Sequence, residues 1–369
     1  MIEINFSTIV YSVGGGLVFF LVLFRYLFLR RTVRETIPEK DRVVLKISIP
    51  RHNEKSPLAA EQLYSSLHGI VKSAAKSPDH FSFEIVAGSY GIFFMVVTAK
   101  RYKRFVENQI FAQYPEAQIQ HIRDYAASLK TIKSPHALVE LSLVKDTFLP
   151  IRTFQNFDVD PLASITGAIS KLSGKEQVWI QLVTRPIGNQ WQSVGKGYVD
   201  KRKQKTDSEG QKVALESGEN TELSEIEKKN TKVGFQFTIR VLAQGPDITT
   251  LQAHLDDAVA SFKQFQTPHL NSIGPRSKKK TIFTSIRKIL LGRTLDDKLS
   301  VASRFEQRFL DEKEQGIITI EELASLYHLP SKAVETPNIA WAMSKKLEYP
   351  LNVPTKEQKA RLYGLTDYR

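Results

Sequence analysis

The sequence predicts an α+β protein that begins with one transmembrane helix, continues through two modules of βαββαβ order and ends in a helical connector. Three observations lead to this prediction. The first is an apolar run from Ile4 to Phe24 that contains no charged residue. The second is a change to alternating and helical spacings of apolar residues after Val43, in an order that repeats once. The third is a final stretch in which proline recurs, at positions 330, 337, 350 and 354.

The apolar run is long enough to cross a membrane, because about twenty apolar residues in a helix span the hydrocarbon core of a bilayer. It continues to Leu29 past a single Arg25. A signal peptide would have basic residues before its apolar core, whereas here they follow it. A buried core helix would be shorter or amphipathic, and the glycines at 14–16 would weaken a helix in water more than one in lipid.

Basic residues set the predicted orientation, since loops rich in Arg and Lys stay on the cytoplasmic side. Only Glu3 precedes the run, and the topology determinants Arg25, Arg30, Arg31 and Arg34 follow its charge-free part. The sequence therefore predicts a single-pass protein of the inner (plasma) membrane, with its N-terminus outside, its bulk in the cytoplasm and the lipid bilayer as a partner. The anchor is residues 1–31.

Composition limits the chemistry that this chain can perform. With 369 residues it has room for two or three domains beyond the anchor. It contains no cysteine, which excludes disulfides and thiolate metal sites. Its net charge of +13 favours negatively charged partners, either anionic lipid heads or nucleic acid, or else a merely basic soluble surface.

The first module, residues 32–133, follows from the spacing of its apolar residues. Strict alternation indicates strands, and apolar residues three and four apart indicate amphipathic helices. Ser56 and Pro57 suit the cap and first position of a helix. The predicted elements are a strand at 43–49, a helix after Pro57, a hairpin at 81–97, a second helix at 102–110 and a strand at 117–122.

The second module, residues 134–275, repeats this order. Its predicted elements are a strand at 138–143, a helix opened by Asp160 and Pro161, strands at 178–182 and 235–241, and a helix at 251–262 that Asp247 caps. The two modules match in pattern rather than in residues, and the ferredoxin-like fold is the simplest architecture for that order. An insertion at 200–232 is so rich in charge that we expect a mobile hairpin tip or frayed helix.

Catalysis by this chain alone has little support in the sequence. A phosphate-binding loop needs Gly-Lys followed by Ser or Thr, but Glu176 follows the Gly-Lys pair at 174–175 and Gly197 follows the pair at 195–196. The eight histidines lack the spacing of a helical zinc site. The carboxylate pairs Asp158–Asp160 and Asp256–Asp257 are more simply explained by helix capping and solvated faces. We therefore predict no catalytic residue, metal or cofactor, and no enzyme activity by this chain itself.

A basic run is the stronger functional candidate, and it defines a linker at 276–299. Its seven cations are Arg276, Lys278, Lys279, Lys280, Arg287, Lys288 and Arg293. They suit contacts with DNA phosphates, which add salt-sensitive affinity without sequence preference. Because apolar residues lie between them, they equally suit an amphipathic helix at a lipid surface, and a solvated linker fits as well.

The connector, residues 300–369, begins with helical signals. Val301, Phe305 and Phe309 have the spacing of an amphipathic helix, and Thr319 with Glu322 forms a capping box for a short helix. The stretch that follows, with its prolines, is predicted to be extended and to lie outside any core.

Several blocks of the sequence resemble a known family. "SPLAAEQLYSSLHGI", "FSFEIV", "FVENQIFAQYPEAQI", "FLPIRTFQNFDVDPLASITGAISKL" and "EQVWIQLVTRP" are similar to the membrane-anchored N-terminal region of type IV secretion or conjugation ATPases of candidate-phyla bacteria. "TIEELASLYHLP", "VETPNIAWAMSKKLEYPLNVP" and "LYGLTDYR" resemble the connector that precedes their HerA-like, DNA-translocating motor.

The resemblance implies a non-catalytic membrane-anchoring and assembly region of a DNA or protein translocation ATPase. Its partners would be an ATPase motor domain, in cis or in trans, with DNA as a further partner and a homo-oligomeric arrangement. The family's nucleotide-binding residues have no counterpart in these 369 residues. The alternative from the residues alone is a self-sufficient membrane tether that binds nucleic acid through the basic run.

Overall fold

The computed structural model describes residues 36–70, 80–131, 134–204, 216–276, 301–310 and 316–342, together with helical positions at 16, 19, 20 and 22–24. Its strands are β1 (Arg42–Ser48), β2 (Phe81–Gly88), β3 (Gly91–Ala99), β4 (Gln118–Ile122), β5 (His136–Leu143), β6 (Gln177–Ile187), β7 (Gly234–Gln244), β8 (Ile273–Pro275) and β9 (Gly316–Thr319). Its helices are α1 (Leu58–His68), α2 (Lys103–Gln113), α3 (Pro161–Ala168), α4 (Gln192–Lys203), α5 (Ser217–Lys229), α6 (Ile248–Ser261), α7 (Val301–Glu306) and α8 (Ile320–Leu326).

The nine described strands form one antiparallel sheet, in the order β4-β1-β3-β2-β6-β7-β5-β8, with β9 paired to β7. The second half repeats the strand order of the first half in mirrored direction, and β2 pairs with β6 where the halves meet. The predicted fold class, with two ferredoxin-like modules behind a transmembrane helix, is therefore wrong. A β-strand with an open edge gains main-chain hydrogen bonds by pairing, and here the two halves pair with each other.

None of the helices in the described part of the chain is long and apolar enough to cross a bilayer. The prediction of a single-pass inner-membrane protein is corrected on this finding. Most of the run from 4 to 24 lies outside the described residues, as do Arg25, Arg30, Arg31 and Arg34.

The main hydrophobic core lies between the sheet and a layer of helices. Every second residue of each strand points to the same face, so Leu45 and Ile47 of β1 and Phe83 and Ile85 of β2 are buried there. Alternation of apolar residues in the sequence thus predicts which side chains face the helices. The predicted hairpin is confirmed by the pairing of β2 with β3.

The opposite face of the sheet is covered by shorter segments. The 3₁₀ turn Tyr125–Thr131, helix α7 and the residues that follow it pack against this face. Phe305 contacts the ring of Trp179, with 5.9 Å between ring centroids. This second face also carries charged strand residues, which are described below.

The predicted connector is part of the folded body. Strand β9 pairs with β7, and the capping box of Thr319 and Glu322 at the start of α8 is confirmed. Residues 327–342, here called the strap, then cross the helical layer and bury Leu329, Val334 and Ile339. A proline-rich segment without regular structure can still fill a core when its apolar residues have a groove to occupy, so the prediction of an extended stretch outside any core is wrong for residues 330–342.

The charged insertion at 200–232 was expected to be a mobile hairpin tip or a frayed helix. Most of its described residues belong instead to α4 and α5, which pack together through a small apolar cluster. Leu223 and Ile226, three residues apart, lie on one face of α5 and are buried against Phe148 and Val199. Two apolar residues are enough to orient this helix, although the composition around them is that of a disordered segment.

Candidate functional site

The most concentrated charge chemistry of the described residues lies on the second face of the sheet. Arg308 has no exposed side-chain surface, and neither does Glu84 of β2. The guanidinium donates from Nε and Nη2 to the two oxygens of Glu84, at 3.0 and 3.1 Å. Its Nη1 donates to Asp124 at 2.7 Å. This geometry is the bidentate pairing that makes arginine–carboxylate bonds strong.

The network extends from Arg308 in both directions across the sheet. On one side, Arg42 donates to Asp124 at 2.6 Å and to Glu306 at 3.0 Å. On the other side, Arg240 donates to Glu140 at 2.7 Å. Each charged group that these bonds join is therefore matched by an opposite charge, as buried ions require.

Main-chain carbonyls of residues 301–310 complete the network. The Phe305 carbonyl accepts from the Gln181 amide at 3.0 Å, and the Phe309 carbonyl accepts from Arg240 at 2.6 Å. Arg308 itself has a positive φ of 50°, a backbone conformation that L-residues adopt rarely. The surrounding hydrogen bonds hold Arg308 in that conformation. They also fix residues 301–310 against the second face of the sheet.

The buried charges shift each other's pKa values. Burial acts to raise the pKa of Asp124, but Arg308 and Arg42 hold it below its usual value. Burial likewise opposes ionisation of Glu140, and Arg240 and Arg304 keep its pKa low. Burial acts to lower the pKa of Arg308, but Glu84 raises it overall. The lowered pKa values of Asp124 and Glu140 keep both carboxylates ionised near neutral pH, so each pairs with the arginines around it and helps to hold the fold together.

A second group of buried charges fastens the helical layer. Lys229 at the end of α5 donates to Glu322 of α8 at 3.1 Å, and both side chains are 1% exposed. Burial lowers the pKa of Lys229, although Glu322 opposes that shift. Close by in sequence, Lys232 bridges Glu61 and Glu321. These ion pairs join the insertion, α1 and the predicted connector into one layer.

A surface pocket of about 350 Å³ lies where α1, α3 and the strap meet. Its lining includes Glu54, Ser56, Phe154, Phe157, Asp160 and Lys332. Lys332 is paired with Glu54, and Arg152 stacks on Phe157 with 4.1 Å between guanidinium carbon and ring centroid. Lys332, Glu54 and Phe157 of this lining therefore already have protein partners.

Asp160 in this pocket has two structural partners. It accepts from the Leu162 amide at 2.9 Å as the cap of α3, which confirms the predicted capping role. It also lies 2.8 Å from Nε2 of His328, whose Nδ1 is 2.7 Å from the Ala324 carbonyl. Each ring nitrogen of His328 thus lies within hydrogen-bond distance of an oxygen. Burial raises the pKa of Asp160 in part, but His328 brings it below its usual value.

The structure describes one residue of the predicted basic run. Arg276 donates its backbone N–H to the Glu140 carbonyl at 2.8 Å, and its guanidinium lies 3.9 Å from the Glu140 carboxylate. Its side chain is 14% exposed, so it is a poor contact for an external phosphate. Lys278, Lys279, Lys280, Arg287, Lys288 and Arg293 lie outside the described residues.

Sequence reasoning did not find the Arg308 network. Its signal was present as charged residues inside otherwise apolar strands, Glu84 in β2 and Arg240 in β7. Placing both in one network required knowing that β2 and β7 both border β6, whose Gln181 bonds to both side chains. Among the residues that the structure describes, no group of three or more His, Asp or Glu side chains is placed to hold a metal ion.

Comparison with solved structures gives only distant likenesses. One is the crystal structure of aclacinomycin oxidoreductase, with 10% identity over 61% of this chain and 41% of that protein, and a TM-score of 0.28. Another is xylooligosaccharide oxidase from Myceliophthora thermophila C1 in complex with xylobiose, with 11% identity over 81% of this chain and 56% of that one, and a TM-score of 0.27. The chain thus spans about half the length of these proteins, and such low scores support no conclusion about fold or activity.

No curated protein matches this sequence. One family model does, and it covers residues 29–342, which include almost all of the described structure. Its description is "Domain of unknown function (DUF8128)". On the extent of that match, this chain belongs to the DUF8128 family.

Proposed function

We propose that this chain is the non-catalytic assembly region of a type IV secretion-like DNA or protein translocation ATPase. It works with an ATPase motor domain, supplied in cis or in trans, and assembles as a homo-oligomer around it. The proposal starts from the ordered sequence blocks that resemble the N-terminal region of such ATPases. It assigns the chain no nucleotide chemistry of its own.

The observation that carries the proposal is the docking of two of these blocks onto each other. Residues 148–172 resemble part of the family's body, and residues 319–330 resemble the start of its connector. The Ile151 amide donates to Glu322 at 2.9 Å, and the Phe154 amide donates to the Ser325 hydroxyl at 2.8 Å. His328 then reaches Asp160. Two main-chain donors and one buried ion pair thus fix the connector to the body.

Such a connection suits a part that holds another domain in a fixed orientation rather than one that catalyses a reaction. A motor attached after the strap would be held against a body whose own buried charges are paired. Rigid attachment keeps the relative orientation of two parts, which repeated subunits in a ring require. An assembly region is therefore the function that this geometry supports best.

The first test is genetic. The gene is sequenced beyond the codon for Arg369, together with its neighbours, and searched for a HerA-like motor with a phosphate-binding loop. The proposal expects that motor either in frame or in an adjacent gene. Its absence from both would count heavily against the proposal.

The second test is biochemical. The purified chain is assayed for ATP hydrolysis alone and with the motor, and the complex is sized by light scattering. We expect no hydrolysis by the chain alone, a defined oligomer with the motor, and faster hydrolysis by that oligomer. ATP turnover by the chain alone, or failure of the two to associate, would overturn the proposal.

A further inference from the structure

A group of cationic side chains lies at one end of the sheet, here called the basic end. Lys100 and Arg101 follow β3, and Lys103 and Arg104 are the first two residues of α2. The fifth member, Arg123, follows β4. Lys100, Arg101, Arg104 and Arg123 are exposed, and Lys103 is partly exposed. None of the five belongs to the predicted basic run.

Strand register places these residues together. Val43 of β1 pairs with Thr98 of β3, and the next residue, Val44, pairs with Ile122 of β4. Arg123 is therefore level with Val43, and its backbone lies about 10 Å from that of Thr98, two strand spacings away. Lys100 and Arg101 follow two and three residues after Thr98, so both chain segments leave the sheet at the same end.

The cations of the basic end have few carboxylates to balance them. Lys103 lies 3.9 Å from Glu107, and among the described residues no carboxylate pairs with Lys100, Arg104 or Arg123. Glu39 and Asp41 precede β1 at this end, with Lys40 between them. Lys100, Arg104 and Arg123 therefore carry three positive charges that no carboxylate of the described residues pairs with.

The positions of two of these cations, Lys103 and Arg104, do not favour folding. Both occupy the first turn of α2, which contains no acidic residue. The N-terminus of a helix carries a partial positive charge, so anions stabilise it and cations do not. A role in stability therefore does not explain the concentration of charge here.

Another basic cluster of the same chain provides a contrast. Residues 201–203 at the end of α4 are also three consecutive cations. There Arg202 pairs with Glu219 at 3.1 Å, and Lys203 pairs with Glu227 at 2.6 Å, both from α5. Two of its three cations are thus paired within the protein, and the cluster sits at a helix C-terminus, where cations are favourable. Lys100, Arg104 and Arg123 have no such carboxylate partner among the described residues.

We propose that the basic end is a contact surface for the phosphate backbone of a nucleic acid. Several lysines and arginines within one surface supply the sequence-independent, salt-sensitive part of nucleic-acid affinity. A bilayer would require apolar side chains to insert beside the cations. No large apolar side chain at residues 99–105 or 122–124 is exposed, so nucleic acid fits better than lipid.

This inference goes beyond the proposed assembly role and does not depend on a motor. The test therefore uses the full chain by itself. Binding of a fluorescent random-sequence DNA duplex is followed by anisotropy over a salt series from about 50 to 200 mM, the range in which phosphate contacts weaken strongly. The variant K100A/R104A/R123A removes three exposed cations, and K201A/R202A/K203A is the matched control with the same change in net charge.

For the basic-end variant we expect the slope of log affinity against log salt to become shallower by about 2.7, at about 0.9 for each phosphate that the protein no longer neutralises. For the control we expect a change below about 1 on the same scale. Equal slopes for the basic-end variant and the wild-type chain would overturn the proposal. So would equal effects of the two variants, because net charge alone would then explain the binding.

Two further measurements separate the alternatives. Melting temperature should be unchanged or raised in K100A/R104A/R123A, so a fall in stability together with an unchanged salt slope would indicate a structural role and overturn the proposal. Flotation with vesicles containing anionic lipid should be equally weak for the wild-type chain and the variant. Vesicle binding that disappears in the variant, while DNA binding is retained, would assign the surface to lipid instead.

Discussion

Replacing Arg308 by methionine tests whether the charge network on the second face holds the fold together. The substitution keeps an unbranched side chain but removes both donors to Glu84 and the donor to Asp124. Glu84 would remain fully buried with only neutral donors, from Ser82, Gln181 and Tyr125. Removing one partner of a buried ion pair costs about 3–5 kcal/mol. Because three donors to Glu84 remain, we expect the free energy of unfolding to fall by about 3 kcal/mol, near the lower limit of that range.

The assay is urea unfolding at pH 7, followed by the fluorescence of Trp179, which lies on the same face. A second variant, E84Q/R308M, removes the stranded charge, and we expect it to be more stable than R308M by about 1 kcal/mol or more. The matched control is R104M, at an exposed arginine, which should change stability by less than about 0.5 kcal/mol. A decrease below about 1 kcal/mol in R308M, or additive effects of the two substitutions, would refute the reasoning.

Three other predictions follow from the same structure. Because the folded pKa of Asp124 lies below its unfolded value of about 4, its contribution to stability is present above that value and is lost as pH falls through the folded pKa; urea midpoints measured from pH 7 to pH 2 should fall less steeply in D124N than in the wild-type chain. Replacing His328 by glutamine should cost about 1.5–3 kcal/mol and raise the pKa of Asp160 toward its usual value, as read from its carboxyl ¹³C titration; an unchanged titration would contradict the assigned contact. For the basic run, filter binding across a salt series should show weaker DNA affinity after Lys278, Lys279 and Lys280 are changed to Ala, and equal affinity would exclude that segment as a DNA contact.

Local signals in the sequence determined individual elements well. The cap and first-position pair of Asp160 and Pro161 opens α3 as predicted, and Asp247 caps α6 by accepting from the Thr250 amide. The capping box at Thr319 is present, and the alternation in 43–49 corresponds to β1. These signals succeed because a cap, a turn or an alternating strand depends on residues only a few positions apart.

The transmembrane and connector predictions failed for a different reason. Both predictions inferred the surroundings of a segment from its composition alone. An apolar run was therefore assigned to a bilayer, and a proline-rich segment to an extended linker. The strap instead finds a groove, where the Tyr327 hydroxyl donates to the Met95 carbonyl and the Tyr64 hydroxyl donates to the Tyr327 carbonyl. Those partners lie more than 200 residues away in sequence. No local pattern contains that information.

The sequence by itself determined most of the strands and helices in their order, which of their faces are apolar, and the excess of positive charge, although it did not predict β8 or β9. Only the tertiary structure decided that β2 and β6 join the two halves into one sheet, and that Glu84 and Arg308 meet on its buried face. It also decided which basic residues have acidic partners at the surface, since α5 pairs with Arg202 and Lys203, whereas Lys100, Arg104 and Arg123 have no carboxylate partner among the described residues. The physical reason is the distance along the chain over which each interaction acts. Helix and strand propensities depend on residues a few positions apart, whereas strand pairing and charge compensation depend on residues that only folding brings together.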